Sequence, residues 1–298
     1  MYKSNNPIIK GTLILTISGI ITRLISFYNR IFLSRLIGTK ELGIYQLTFP
    51  IYMFAFSLCN QGISLALTKL LSEHISRKDY GLAKSTLRVA LLLSCSLGII
   101  STIFIYNLAP CIATHILKSS MCTKSLRVIC LGIPFVCIKG CINGYFLSIK
   151  KVQVNGMSQL IEQIFRVLSI YLLYSYVTDL TPNAHLATMG IFCGEVISGI
   201  FVIICYLFNP ISSSMKNSTY TKAFTSLLSE ATPLTMNKTA LTLLQSVESI
   251  LIPSMLMLYY NNSDTSLSMF GTLTGIVLPF IMFPNTLTGA LSTILLPT

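Results

Sequence analysis

The sequence predicts an all-α integral membrane protein with about eight transmembrane helices. Of its 298 residues, 53% are hydrophobic and only 10% are charged, whereas soluble domains carry about 25% charged residues. Apolar stretches separated by short polar loops recur along the chain, and they reach the roughly 20 residues that a helix needs to cross a bilayer. In lipid, helices satisfy their own backbone hydrogen bonds, which makes them the expected spanning elements.

Each predicted span is an apolar run of membrane length. The first continues past Arg23 without a convincing cleavage site, which favours a retained helix over a signal peptide. The seventh is the longest and contains Pro233, which predicts a kink or an interfacial piece. The eight spans cover residues 11–36, 44–69, 86–109, 126–149, 157–178, 186–208, 224–258 and 267–296.

Basic residues orient these spans, because cytoplasmic loops hold more Lys and Arg than outer loops do. With the N-terminus inside, the inner segments hold about twice as many basic residues as the outer ones. The sequence therefore predicts a multi-pass protein of the cell membrane with a cytoplasmic N-terminus. The net charge of +12 is assigned to contact with anionic lipid headgroups. Nucleic acid is not a predicted partner, since no basic groove interleaved with aromatic residues is present.

A weak internal repeat divides the chain. FPIYMF at 49–54 is similar to LPFIMF at 278–283, and membrane transporters are commonly built from repeated sets of helices. Both segments would cross the membrane in the same direction, so the repeat is parallel. This predicts a six-helix N-terminal lobe over residues 1–210. The incomplete start of a second lobe, its helices seven and eight, then covers residues 211–298.

No enzyme or cofactor site is predicted. The nine cysteines form no Cys/His cluster with zinc spacing. Cys137 and Cys141 are one helical turn apart and have the spacing for a soft metal, but small buried hydrophobic side chains are the favoured interpretation. A glycine-rich phosphate loop and a nucleophile motif are both missing from the sequence.

Polar residues inside the spans are the candidate functional residues, because a charged side chain at mid-membrane costs about 2.5–3.5 kcal/mol on insertion scales. Span five carries Gln159, Glu162, Gln163 and Arg166, whose spacing places them on one helical stripe. Glu162 and Arg166 have the i,i+4 spacing of an ion pair. The favoured interpretation is a structural pair that seals this helix against a neighbour, and the alternative is the polar wall of a hydrated cavity.

The arginines of span one are candidates for binding a substrate. Arg23 and Arg30 are seven residues apart and therefore share one helix face. They should face a water-filled cavity, an acid on another helix, or an anionic ligand, and the planar fork of Arg suits phosphate. A cavity role is favoured more strongly for Arg23, because Arg30 has the alternative of snorkelling to the outer surface.

Other intramembrane charges lie in spans four, six and seven. Lys238 belongs to a polar stripe of span seven, and Glu248 lies alongside it. Lys139 and Glu195 are isolated in their spans, which favours pairing between helices over a proton or cation site. The other members of the span-seven stripe are Thr242, Gln245 and Ser249. The candidate substrate-binding residues are thus Arg23, Arg30 and Lys238, and the candidate polar network comprises Gln159, Glu162, Gln163, Arg166, Lys139, Glu195 and Glu248.

Residues 144–167, GYFLSIKKVQVNGMSQLIEQIFRV, resemble a signature of one protein family. It is the polysaccharide-biosynthesis, stage V sporulation protein B-like branch of the multidrug/oligosaccharidyl-lipid/polysaccharide exporter superfamily, which is related to lipid II flippases. Similar stretches occur at 10–38, 61–73 and 270–298, so the resemblance covers essentially the whole chain. It implies two six-helix lobes around a central cavity and alternating access. Because family members have more than eight helices, it also implies a truncated or split member.

The resemblance implies a flippase of a polyprenyl-diphosphate-linked saccharide, a precursor of cell wall, spore cortex or polysaccharide. Arg23, and less closely Arg30, match the Arg-rich first helix of lipid II flippases, whereas basic residues expected at mid-span in helices two and eight are missing. The expected partners are the lipid-linked saccharide, membrane lipids, and a separately encoded second half or a second copy of the chain. Two alternatives are a cation-coupled exporter of drugs or organic cations, and an inactive remnant or membrane scaffold. The exporter would use acids such as Glu162, Glu195 and Glu248.

Overall fold

The computed structural model describes residues 7–176, 184–210 and 220–282, and side chains from residue 16 onwards. Within these ranges the chain is helical and contains no β-strand, which confirms the predicted all-α class. The helices are α1 (Pro7–Phe56), α2 (Gly62–Ser76), α3 (Tyr80–Cys111), α4 (Cys122–Cys130), α5 (Ile133–Ser148), α6 (Val152–Tyr176), α7 (Ala184–Phe208), α8 (Tyr220–Tyr260) and α9 (Ser263–Thr272). Short π-helical turns join α1 to α2 and extend α3 and α9; they cover Ser57–Gln61, Ile112–Ile116 and Leu273–Val277.

Six helical stretches in the described ranges are long and apolar enough to cross a membrane, so the chain is a multi-pass membrane protein. The stretches are Thr16–Ser76, Tyr80–Ile116, Cys122–Ser148, Ala184–Phe208, Tyr220–Tyr260 and Ser263–Met282. The predicted count of eight is not confirmed. Predicted spans one and two merge into the first stretch. Predicted span five forms α6, whose polar stripe makes it less apolar than those six stretches. The part of predicted span eight beyond residue 282 lies outside the described residues.

The loop expected between spans one and two is absent from the described chain. The helical conformation of α1 is interrupted only at Gly38, which has φ 79° and ψ 168°. Glycine adopts positive φ without the clash that a Cβ would cause, so a single residue serves as the joint. We refer to the two parts of α1 as its first arm, before Gly38, and its second arm, after Gly38.

Two glycines of α7 bring α6 into close contact. A Cβ at Gly194 would lie 2.8 Å from the carbonyl oxygen of Glu162, and one at Gly190 would lie 3.0 Å from that of Arg166. Small residues spaced by four along a membrane helix allow this approach of backbones. The polar stripe of α6 is therefore held against α7, in the interior of the bundle.

Helices α8 and α9 pack on the first half of the chain. The close approach of α9 to α1 is shown at Gly271, where a Cβ would lie 2.9 Å from the Cα of Gly43. Lys40 and Asp264 form an ion pair of 2.8 Å at the same junction. The described part of the segment 211–298 thus contacts the segment 1–210, and the division into two lobes there stays a prediction.

Candidate functional site

A polar cavity of about 320 Å³ lies between α1, α6 and α7. Both arms of α1 contribute to it, one from each side of the joint at Gly38. The first arm supplies Ser26, Asn29, Arg30 and Leu33; the second arm supplies Tyr45, Gln46, Phe49, Tyr52 and Met53; α6 supplies Glu162, Gln163 and Arg166; and α7 supplies Ile191 and Glu195. Five of the residues predicted from sequence therefore meet at one place.

A buried ionic cluster forms one wall of this cavity. The Lys139 ammonium, on α5, donates to Glu162 Oε2 at 2.8 Å and also to a carboxylate oxygen of Glu195. Arg166 Nη2 donates to Glu162 Oε1 at 2.6 Å, so the ion pair predicted from the i,i+4 spacing is present. All four side chains are at most 15% exposed. The interhelical pairing favoured for Lys139 and Glu195 is present too.

The cluster is internally balanced, since its two cations and two anions cancel formally. Burying a charge is costly unless it is paired and hydrogen-bonded, and here each carboxylate oxygen has a donor. Tyr52, from the second arm of α1, donates its hydroxyl to Glu195 Oε1 at 3.3 Å. Ser198 lies 3.4 Å from the Lys139 ammonium. The cluster therefore ties α1, α5, α6 and α7 together.

Arg30 adds a charge that the cluster does not balance. Its guanidinium lines the cavity, and Nη1 donates to the carbonyl of Thr274 at 3.4 Å. Among the residues that the structure describes, Arg30 makes no ion pair with a carboxylate. The cavity is thus suited to an anion, because a half-buried guanidinium keeps most of its five N–H donors for a ligand.

Several buried polar atoms of the cavity wall have no hydrogen-bond partner in the described part of the chain: Asn29 Oδ1, Gln163 Oε1 and Arg166 Nε. Gln163 belongs to the predicted polar stripe. Asn29 was missed by the sequence reasoning, which considered only charged residues in span one. Its position next to Arg30 in an apolar span was the available signal.

Five predicted site residues do not line the cavity. Lys139 belongs to the buried cluster behind its wall, whereas Arg23, Gln159, Lys238 and Glu248 are exposed. The sequence favoured Arg23 over Arg30, but the structure brings Arg30 to the cavity instead. Helical spacing gives the face on which both arginines lie, whereas the packing of α6 and α7 decides which turn of that face is covered.

The polar stripe of α8 lines a smaller cavity of about 170 Å³ beside the first. Thr242, Gln245 and Ser249 face it, as their spacing predicts, while Lys238 does not. Gln46, Phe49 and Met53 of the second arm line both cavities. The two spaces are therefore neighbours separated by the side chains of the second arm.

An apolar groove of about 630 Å³ lies between α1 and α6. Its walls are Leu24, Ile25, Tyr28 and Phe32 of the first arm and Ile164, Val167, Leu168 and Tyr171 of α6. The same two helices therefore contribute one set of side chains to a polar cavity and another to an apolar groove.

Comparison with known proteins gives matches along nearly the whole chain. Residues 8–298 match the family model described as polysaccharide biosynthesis protein. The chain is 28% identical to stage V sporulation protein B of Bacillus subtilis (strain 168), over 97% of this chain and 57% of that protein. It is 21% identical to the lipid II flippase MurJ of the same organism, over 99% of this chain and 58% of that protein. It thus spans a little over half the length of both relatives.

Solved transporter structures show a similar fold. The MATE multidrug transporter DinF-BH matches with a TM-score of 0.72 over 98% of this chain and 65% of that one. The sequences are only 15% identical, so this likeness shows the fold alone.

Proposed function

We propose that this chain, which belongs to the polysaccharide biosynthesis protein family, binds a polyprenyl-diphosphate-linked saccharide and moves it across the membrane as a flippase. The observation that carries the proposal is the unbalanced guanidinium of Arg30 at the polar cavity. A flippase makes and breaks no covalent bond, so the site has to bind, orient and release its ligand. The similarity to the lipid II flippase MurJ of Bacillus subtilis favours this substrate class over others.

The charge distribution supports an anionic ligand. Lys139 and Arg166 neutralise Glu162 and Glu195, which leaves the positive charge of Arg30 facing the cavity. Guanidinium groups bind phosphate oxygens two at a time, and such charge-assisted hydrogen bonds are roughly twice as strong as neutral ones. Electrostatic attraction is also stronger in a cavity than in open water, because the effective dielectric constant is lower.

The apolar groove supports a ligand with a lipid tail. A polyprenyl chain needs apolar surroundings while its diphosphate occupies the polar cavity, and α1 and α6 supply both. We propose that the tail lies along the groove formed by residues such as Tyr28 and Tyr171. Arg23, on the same face of α1 as Arg30, is proposed to meet the diphosphate as it enters, and Lys238 on α8 to meet it from the opposite side.

Alternating access requires two lobes that move relative to each other. We propose that the segment 211–298 faces further helices, supplied either by a separately encoded second half or by a second copy of the chain. The exposed polar residues of α8 are compatible with such a partner, since charged side chains in membrane helices usually face a bundle interior or a water-filled cavity.

The cation-coupled exporter is the weaker proposal. It requires carboxylates that are free to take a proton, a metal cation or an organic cation. Glu162 and Glu195 already bind the ammonium of Lys139, so both carboxylates are paired with a cation of the protein itself. Glu248 lies on the exposed side of α8, away from the polar cavity.

The proposal is tested by ligand binding to the purified protein in nanodiscs. The sequence contains no tryptophan, so Met53→Trp, at the border of both cavities, provides a fluorescence signal without background. In the Met53→Trp protein, the further substitution Arg30→Gln should weaken binding of farnesyl diphosphate by roughly 10- to 100-fold, because hydrogen bonds to a charged group contribute about 1.5–3 kcal/mol. Arg30→Lys should have an intermediate effect, since Lys keeps the charge but not the fork.

The matched control is Arg35→Gln, which removes an exposed arginine from the same helix and should leave affinity unchanged. The same variants are then compared for translocation of a fluorescent polyprenyl-diphosphate-linked saccharide in proteoliposomes. If Arg30→Gln binds and translocates as well as the Arg35→Gln control, the cavity is not the site of the diphosphate and the proposal is wrong.

A further inference from the structure

Two carboxamide side chains face the polar cavity without a full set of partners. Asn29 is 4% exposed and Gln163 is 9% exposed, and both line the cavity. Neither Asn29 Oδ1 nor Gln163 Oε1 has a hydrogen-bond partner in the described part of the chain. Buried polar atoms in native proteins are nearly always hydrogen-bonded, so two unpartnered acceptors at one cavity point to a ligand that donates to them.

The orientation of Gln163 is fixed by its neighbour. Its Nε2 lies 3.5 Å from Glu162 Oε1, which can only accept. The amide oxygen of Gln163 is therefore the atom without a partner among the described residues, and only an O–H or N–H donor satisfies it. Asn29, with no partner at Oδ1 among the described residues, adds a second acceptor from α1.

The two walls carry the same pair of functional groups. On α1, Asn29 adjoins Arg30, and on α6, Gln163 precedes Arg166 by nearly one helical turn. Arg166 keeps an unpartnered Nε besides its bond to Glu162. Each wall therefore offers one amide for a hydroxyl or N–H group, and the wall on α1 also offers the guanidinium of Arg30 for an anion. A simple diphosphate would use Arg30 and leave both amide oxygens without a donor.

The second arm of α1 adds aromatic rings to the same cavity. Tyr45 and Phe49 pack edge to face with ring centroids 5.1 Å apart, and both line the space. The C–H face of a pyranose packs well on such apolar surfaces, while its hydroxyl and acetamido groups need fixed polar partners. Pockets built of aromatic side chains with a few placed polar groups are typical of sites that discriminate between small ligands.

We infer that Asn29 and Gln163 bind the first sugar of the lipid-linked saccharide, next to the phosphate held by Arg30, and so select which saccharide is carried. This inference rests on the proposed function. The ligand class is a sugar bound through a phosphate to a lipid, with hydroxyl or acetamido donors directed at both amides. An analogue that lacks these donors leaves two buried acceptors unpaired, which a site of this kind discriminates against strongly.

The test compares two probes in the Met53→Trp protein: farnesyl diphosphate, and farnesyl diphosphate carrying one N-acetylglucosamine. The variants are Asn29→Leu and Gln163→Met, which keep approximate shape but remove the amide. Each should weaken the sugar-bearing probe by about 3- to 10-fold, the usual effect of one lost hydrogen bond, and leave the sugar-free probe within about 2-fold. Gln159→Met, the same change at an exposed position nearly one turn earlier on α6, should change neither probe.

The outcomes separate the inference from the proposed function. If Asn29→Leu and Gln163→Met weaken both probes equally, or neither probe, the amides do not select the sugar and the inference is wrong while the role of Arg30 stands. If the unsubstituted cavity binds both probes equally, the inference is wrong as well. If Arg30→Gln affects neither probe, the proposed function itself fails. Thermal unfolding of each variant shows whether it is folded before binding is compared.

Discussion

Lys139→Met should destabilise the protein more than any exposed lysine substitution does. The ammonium of Lys139 is the donor shared by Glu162 and Glu195 inside the bundle. Methionine has a similar length and no charge, so the change removes the interaction with little change of volume. Glu162 would keep Arg166, whereas Glu195 would keep only the hydroxyl of Tyr52. One buried negative charge would then lack a cation.

The expected loss follows from the burial of these groups. Removing one partner of a buried ion pair costs about 3–5 kcal/mol, because the other charge stays desolvated. The matched control is Lys69→Met, which breaks the exposed pair of 2.8 Å with Glu230. That pair is between 38% and 61% exposed, so its loss should cost at most about 1 kcal/mol.

The assay is the free energy of unfolding in mixed micelles, measured by denaturant titration. A double variant, Lys139→Met with Glu195→Gln, restores formal neutrality and should recover about 1–3 kcal/mol of the loss, the usual range of coupling between contacting residues. Sodium ions should stabilise Lys139→Met alone, because a cation that binds only the folded state stabilises it. Equal losses of unfolding free energy in Lys139→Met and Lys69→Met, or a double variant no more stable than Lys139→Met, would show that the buried cluster does not stabilise the fold.

Three further predictions concern packing, accessibility and topology. Gly194→Ala should lower the free energy of unfolding by about 1–3 kcal/mol through overpacking, because its Cβ would lie 2.8 Å from the Glu162 carbonyl, whereas Gly199→Ala should be tolerated with its nearest atom at 3.7 Å. A maleimide added to the folded protein in detergent should label the exposed Cys111 and leave the fully buried Cys141 unlabelled until denaturation; equal labelling rates would contradict the packing. In intact cells, Lys78→Cys in a chain whose native cysteines are replaced by serine should be labelled only after the membrane is permeabilised, since the positive-inside rule predicts a cytoplasmic α2–α3 turn; labelling from outside would contradict the predicted topology.

Composition and residue spacing were enough to predict the fold class and the contacts within one helix. Low charge and long apolar runs determine an all-α membrane protein, because the bilayer leaves few other ways to satisfy the backbone. The Glu162–Arg166 pair follows from a separation of four residues on a helix. The joint at Gly38 was not predictable in this way. Residues 37–43 interrupt the apolar pattern, which fits a loop between two helices as well as it fits a single-residue joint.

Contacts between helices are the part of the site that could not be predicted from the sequence. Isolated charges such as Lys139 and Glu195 suggest partners on other helices, but spacing along the chain does not tell which partners these are. That Lys139 bonds both Glu162 and Glu195 depends on the close approach of α6 and α7 at Gly194, a property of the packed bundle. The choice of Arg30 over Arg23 has the same origin, because one helix face contains both residues and the neighbouring helices cover only one of them.

A structure of the protein with bound farnesyl diphosphate carrying one N-acetylglucosamine would locate the ligand directly. We expect phosphate density within about 2.7–2.9 Å of the Arg30 guanidinium, the length of a charge-assisted hydrogen bond, with the sugar between Asn29 and Gln163. Density for the diphosphate elsewhere, with the polar cavity filled by water alone, would contradict this expectation.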